Sequence, residues 1–141
     1  MPTVEIVEVR KRYAEGAALD GVSLSVPEGR ILVLLGTSGC GKTTTLKLIN
    51  RLLDPTGGQV RVEGRATAEW DPIRLRRRIG YVIQEVGLFP HFTIEENIGV
   101  VPRLEGWGEG RIRARARELL ALVGLDFEQF AGRYPDRKSV V

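Results

Sequence analysis

Arg30-Ile31-Leu32-Val33-Leu34-Leu35 runs directly into Gly36-Thr37-Ser38-Gly39-Cys40-Gly41-Lys42-Thr43, and Thr44 through Leu53 follow. This stretch decides the fold. Gly36 to Thr43 matches the phosphate-binding loop pattern G-x-x-x-x-G-K-[ST]. A polyphosphate needs donors that approach closely with no side chain in the way. Glycines let the backbone curl so that successive N–H groups of Thr37, Ser38, Gly39, Cys40 and Gly41 point inward. The helix expected from Lys42 adds the positive end of its dipole. Lys42 reaches the β- and γ-phosphates, Thr43 offers a hydroxyl to Mg²⁺, and Thr44 hydrogen-bonds a further phosphate oxygen. An aliphatic strand before the loop and an amphipathic helix after it are the context that the motif requires. The alternative is a glycine-rich turn that happens to carry an exposed lysine. For Cys40, an inert small residue is the simpler reading beside a redox role.

Working outward, Arg30–Leu35 reads as a strand buried on both faces, being continuously aliphatic and bounded by glycines. Lys42–Leu53 carries Leu46, Leu48, Ile49, Leu52 and Leu53 on one helical face, and Asp54-Pro55-Thr56-Gly57-Gly58 stops it. Upstream, Thr3–Arg10 is an imperfectly alternating strand with Val4, Ile6, Val7 and Val9. Leu19–Val26 is a second, half-buried strand with Val22, Leu24 and Val26 in step. Downstream come a short strand at Gln59–Glu63, a loop or short helix at Asp71–Arg78, and another strand at Ile79–Gln84. Thr93–Val101 reads as a helix with a capping box from Thr93 and Glu96, ended by Pro102. Glu109–Val123 is a helix with Ile112, Ala116, Leu119, Leu120 and Val123 on one face, stopped by Gly124. The sum is an α/β fold: a P-loop core, an antiparallel β addition at the front, and helices behind.

The 141 residues are room for one domain of ordinary size. The net charge of +3 arises from 21 basic and 18 acidic residues spread evenly along the chain. That excess permits nucleic-acid binding without arguing for it. The longest aliphatic run, Ile31–Leu35, has five residues, against about 20 for a membrane span, and the N-terminus does not read as a secretory signal. The sequence therefore predicts a cytosolic chain. One cysteine, Cys40, excludes an internal disulfide and a multi-cysteine metal site, and one histidine, His91, leaves no histidine cluster for zinc and no obvious nucleophile–histidine pair. Glycine is enriched, with 17 residues.

At this point the chain resembles a family, the ATP-binding subunits of ABC transporters. Within it, the chain is most similar to importers of quaternary-amine osmoprotectants such as glycine betaine, choline or carnitine. Besides the loop, the resemblance rests on Leu19-Asp20-Gly21-Val22-Ser23-Leu24, on Leu46-Lys47-Leu48-Ile49-Asn50-Arg51-Leu52 and on Pro55-Thr56-Gly57-Gly58. It continues through Ile79-Gly80-Tyr81-Val82-Ile83-Gln84 and Leu88-Phe89-Pro90-His91-Phe92-Thr93-Ile94-Glu95-Glu96-Asn97-Ile98. The osmoprotectant assignment leans on Gln84–Trp107, including Val100-Val101-Pro102-Arg103-Leu104 and Gly106-Trp107.

The resemblance implies ATP and Mg²⁺ as cofactors, with Lys42 and Gln84 as the catalytic pair. Tyr13 is similar to the aromatic that stacks on adenine. Gln84 is similar to the glutamine that contacts Mg²⁺ and the attacking water. Gly87–Phe92 falls where the family meets its membrane partner. The implied partners are transmembrane permease subunits and a second ATP-binding subunit, with no nucleic acid, and the implied place is the inner face of the cell membrane. The implied domain is the N-terminal part of an ABC-type nucleotide-binding domain over 1–141, with a Q-loop near 84 and a helical subdomain from about 88. After Arg133-Tyr134-Pro135-Asp136-Arg137 the family's Leu-Ser-Gly-Gly-Gln signature is expected, yet Lys138-Ser139-Val140-Val141 follows. The strand ending in Asp-Glu and the switch histidine are absent as well. A frameshift, an early stop or a gene fragment is the expectation, as is a chain that binds ATP without hydrolysing it alone. Two other readings stay open on the residues: a small P-loop kinase or nucleotide switch, and a non-enzymatic nucleic-acid or phosphate module using Arg74, Arg76, Arg77 and Arg78. Of Arg111, Arg113, Arg115 and Arg117, the alternating spacing predicts a fan around the helix.

Overall fold

A computed structural model of the chain describes residues 2–84 and 87–135. The expectations placed on Asp136–Val141 lie outside the described residues. The chain divides into two compact units, Met1–Tyr81 and Val82–Val141.

The first unit is a four-stranded antiparallel sheet with helix packed on it. Its strands are β1 (Pro2–Tyr13), β2 (Gly16–Pro27), β3 (Gly57–Val62) and β4 (Arg65–Ala66), in the order β2-β1-β3-β4. The imperfect alternation of β1 has a physical cause. Glu8 takes φ 48° and its N–H donates to Ser23 Oγ at 2.9 Å. The register shifts between Ile6 and Val9. This bulge adds one residue, so Ile6 and Val9 both turn inward while Val7 stays exposed. Opposite them, Ile6 pairs with Leu24 on one side and Val60 on the other. Ile6, Val9, Leu19, Leu48 and Val60 form the core, closed by Val22, Leu24, Ile49 and Leu53.

Helix α1 (Lys42–Ile49) contributes Leu48 to that core and ends four residues earlier than the periodicity predicts. Arg51 adopts φ 52°, and the Leu52 N–H reaches back to the Lys47 carbonyl at 2.8 Å. Leu53 still packs on the core from beyond the helix. Helix α2 (Pro72–Arg78) is capped by Asp71, whose carboxylate accepts from the Arg74 N–H at 2.8 Å, and it buries Leu75.

Two expected strands are not formed. Residues 30–35 and 79–84 carry no strand, and the sheet contains neither. Ile31 is 93% exposed, Leu35 89% and Val82 92%. A strand buried on both faces needs a hydrogen-bonded neighbour along each edge and a packed layer over each face. No described strand pairs with either segment. Aliphatic character alone therefore does not bury them.

The second unit is helical: α3 (Ile94–Leu104), α4 (Glu109–Leu122) and α5 (Phe127–Phe130). The capping box forms as expected. The Glu96 N–H donates to Thr93 Oγ1 at 3.2 Å, and the Thr93 N–H donates to Glu96 Oε2 at 2.7 Å. The bond from the Thr93 backbone holds the Glu96 carboxyl below its ordinary value, with its hydroxyl adding to the effect. Pro102 does not end α3; it sits in the last turn. Its ring costs one N–H bond, but its carbonyl accepts from Glu105 and Trp107, and Gly106 at φ 75° makes the stop. Gly124, also at φ 75°, closes α4, with the Leu125 N–H on the Leu120 carbonyl at 2.9 Å. Ala116, Leu120, Phe127 and Ala131 pack together with Ile94, Ile98 and Leu125. Val123, expected on that face, is 67% exposed because it already lies beyond the last helical turn.

Candidate functional site

The loop 36–43 sits between the unpaired segment and α1, and its shape is set by what presses on it. Gly41 is buried at φ 92°, and a Cβ there would lie 2.7 Å from the Ala18 carbonyl oxygen and from Leu19 Cδ2. At Gly36 a Cβ would meet Cys40 Sγ at 2.5 Å. These two glycines are close-approach positions: one lies against β2, the other against the loop's own thiol. Gly39, at φ 81°, has open space around it and is required only for its conformation.

Gly41 is also the N-cap of α1, and no side chain hydrogen-bonds the first turn. The N-terminal N–H groups thus keep their capacity for an external acceptor, and the helix dipole favours an anion there. The loop is braced from below by Thr45, whose hydroxyl and N–H both reach the Gly41 carbonyl, at 3.0 and 2.8 Å. Lys42 folds across the loop: its ammonium donates to the Gly36 and Thr37 carbonyls at 2.9 and 2.6 Å and lies 3.3 Å from Cys40 Sγ. The charge is therefore held over the loop's mouth by the loop itself. Thr43 is exposed at the first turn, and Thr44 is half-buried beside it.

Tyr13 stands at the end of β1, 48% exposed, paired with Gly16 across the hairpin turn. Gly16 is two residues along β2 from Ala18, the carbonyl that presses on Gly41, so roughly 7 Å of strand separates the two contacts. The ring and the loop thus share one end of the sheet. Lys11 Nζ lies 5.3 Å from the Tyr13 ring centroid, a second cation at the site. Neither Lys11 nor Ala18 belongs to a motif, and only the structure reveals their place at the site.

Gln84 belongs to the second unit. It is exposed, on a bend that follows the unpaired segment, rather than at a strand end. The structure gathers 36–44 and Tyr13 in one unit and does not place Gln84 in it.

Two arginines of the cluster, Arg76 and Arg78, are spent on the fold. Arg76 donates to the Asn50 and Arg51 carbonyls at the C-terminus of α1, at 3.3 and 2.6 Å. Arg78 forms a two-bond pair with Glu63 and faces Trp70. His91 packs edge-on against Phe92, with ring centroids 4.6 Å apart, as a loop residue.

The ABC transporter family profile matches residues 19–139. The chain belongs to the ABC transporter family. It is 54% identical over 131 residues to the osmoprotectant import ATP-binding protein OsmV of Salmonella typhimurium, covering 93% of this chain and 34% of that protein. It is 46% identical over 137 residues to the glycine betaine/carnitine/choline transport ATP-binding protein OpuCA of Bacillus subtilis, covering 96% of this chain and 36% of that one. Among solved structures, it resembles the ATP-binding cassette MJ0796 in a dimeric post-hydrolysis state bound to ADP and Pi. There the TM-score is 0.81 and the identity 34%, over 94% of this chain and 61% of that one. The fold is thus part of an ATP-binding cassette, α/β with an antiparallel sheet and helices. The chain spans about a third of the length of these curated relatives. Family membership sets aside the reading as a small kinase. No helix among the described residues is long and apolar enough to cross a membrane.

Proposed function

We propose that this chain binds Mg·ATP through Gly36–Thr43 and acts as an ATP-binding subunit that couples ATP binding and hydrolysis to import of a small solute. The observation that carries this reading is the uncapped start of α1 behind a loop in which Gly41, pressed against the Ala18 carbonyl, has no room for a side chain. An anion fits that place and little else does. Lys42 takes the β- and γ-phosphates by exchanging its bonds to the Gly36 and Thr37 carbonyls, and Thr44 takes a further phosphate oxygen. The backbone N–H groups of Thr37, Ser38, Gly39, Cys40 and Gly41 line the cradle, and Tyr13 stacks on the base.

The exposed Thr43, in the first turn of the helix and next to Lys42, suits Mg²⁺, which needs few protein ligands when phosphates supply the others. Gln84 is the second group assigned to it, acting also on the attacking water. Bound there, the ion supplies charge neutralisation at the phosphates. Similarity to the osmoprotectant and glycine betaine/carnitine/choline proteins supports a quaternary-amine cargo, permease subunits as partners through 87–92, and a peripheral position at the inner face of the membrane. The same similarity supports the reading of 1–141 as the N-terminal part of a nucleotide-binding domain that works with a second ATP-binding subunit.

The test is a binding series with adenosine, AMP, ADP and ATP, with Mg²⁺ present. Affinity rising with each added phosphate is expected, and Tyr13→Ala weakens ATP and GTP alike while Tyr13→Trp is tolerated. Adenosine binding as tightly as ATP overturns the phosphate cradle. A loss confined to one nucleotide overturns the stacking role.

A further inference from the structure

The nucleotide reading gives Tyr13 a role and leaves Lys11 without one. Lys11 stands two residues before Tyr13 on β1, and its ammonium makes two contacts. It donates to the Asp54 carbonyl at 2.8 Å, and it lies over the Tyr13 ring, 5.3 Å from the centroid. Asp54 belongs to the turn that leaves α1, and that turn is stitched to the same end of β1. The Thr56 N–H and hydroxyl both donate to the Arg10 carbonyl, at 2.8 and 3.1 Å, and the Arg12 N–H donates to Thr56 Oγ1 at 3.2 Å. Arg51 Nε holds the Asp54 carboxylate at 3.2 Å. The exit of α1 is thus tied to the strand end that carries Tyr13, while its entry carries the phosphate loop against Ala18.

The two lysines of the site are therefore bound to different places. Lys42 holds the loop's own Gly36 and Thr37 carbonyls, where a phosphate can exchange with them. Lys11 holds the turn beyond the other end of the helix, and its charge faces a ring. A cation over an aromatic face is attracted by the ring quadrupole, and it also occupies that face. A flat base stacked on Tyr13 must then take the opposite face. Holding an exposed side chain in its bound orientation lowers the ordering cost that binding would otherwise meet.

We propose that Lys11 is a positioning residue of the nucleotide site: anchored on the Asp54 carbonyl, its ammonium covers one face of the Tyr13 ring and presents the other to the nucleobase. This inference rests on the stacking role given to Tyr13. Lys11 acts through the ring and takes no phosphate.

The experiment titrates the full chain by calorimetry with ADP, ATP and inorganic tripolyphosphate, each with Mg²⁺. Lys11→Met keeps the aliphatic stem and removes the charge. Lys11→Gln also removes the charge but keeps a donor toward the Asp54 carbonyl, so it carries the same comparison with the tether spared. Both are expected to weaken ADP and ATP by one common factor, about two- to fivefold, as for a cation over an exposed ring. Both should leave tripolyphosphate unchanged, which also shows that the cradle is folded. Lys11→Arg, which keeps a cation able to stack on a ring, restores the nucleotides. In a Tyr13→Ala background, Lys11→Gln has no further effect, because the two residues act as one unit. Loss of tripolyphosphate in Lys11→Gln equal to the loss of ATP makes Lys11 a phosphate ligand and overturns the proposal. A Lys11→Gln loss undiminished in Tyr13→Ala overturns it as well. Parent-like ATP affinity in Lys11→Gln, with Tyr13→Ala clearly weaker, overturns the role of Lys11 and leaves the stacking intact. Parent-like affinity in Tyr13→Ala overturns the stacking and this proposal together.

Discussion

Gly41→Ala tests the architecture of the loop more sharply than any change at its charged residues. The added methyl would lie 2.7 Å from both the Ala18 carbonyl oxygen and Leu19 Cδ2, and the backbone would keep φ 92°. The left-handed conformation costs an alanine about 1–2 kcal/mol. Forcing a methyl into a packed place against backbone adds about 1–3 kcal/mol. Together they come to about 2–5 kcal/mol, a large share of the roughly 5–15 kcal/mol that a domain has available. Gly39→Ala is the matched control, because φ is 81° there and nothing lies within 4 Å of the new methyl. It carries the conformational cost alone, about 1–2 kcal/mol. Urea unfolding followed by circular dichroism reads both. The Gly41 variant is expected to unfold at clearly lower urea than the Gly39 variant. Coincident midpoints would refute the close packing of the loop on β2.

Three further outcomes follow from the same structure. Leu48→Ala, at a fully buried site in the sheet's core, should cost about 2–5 kcal/mol, whereas Ile31→Lys, at 93% exposure, should stay within about 0.5 kcal/mol of the parent and reduce aggregation; equal costs in denaturant would mean that residues 30–35 are packed. Glu96 has its folded value lowered by the Thr93 bonds, so its stabilising effect is present above the unfolded carboxyl range and lost as pH falls through the lowered value. The parent should therefore lose stability over Glu96→Gln in acid, and parallel pH profiles would contradict the capping bond. Purified chain with Mg·ATP should release phosphate no faster than Lys42→Ala, since ground-state binding does not by itself raise a rate. Turnover of about 1 s⁻¹ or more, abolished in that variant, would show a site complete without further residues.

What was legible in the sequence was whatever local chemistry decides. The loop, the capping box at Thr93 and Glu96, the Gly124 stop and the two long front strands follow from spacing and turn residues within a few positions. Residues 30–35 and 79–84 depart from their sequence expectation for the opposite reason. Aliphatic composition states a need for burial, and a strand forms only where a neighbour meets that need. Gln84 shares the failure, since its expected place was the end of a strand that does not form. The helix ends at Ile49 and Leu104 differ from the periodicity because Arg51 takes a left-handed conformation that its residue type does not announce and Pro102 is accommodated in a last turn. Lys11 and the Ala18 carbonyl reach the site only through the folded structure, which no motif encodes.

The central claim is that the loop at Gly36–Thr43 holds the phosphates of a nucleotide, and calorimetric titration of the chain and of Lys42→Ala with Mg·ATP measures it directly. The parent should bind with one site per chain. Loss of the charge-assisted contact, about 1.5–3 kcal/mol, should raise the dissociation constant about 10- to 150-fold in the variant. Equal affinity in the two proteins, or no heat of binding in a parent whose helical and sheet content is intact, would contradict the account.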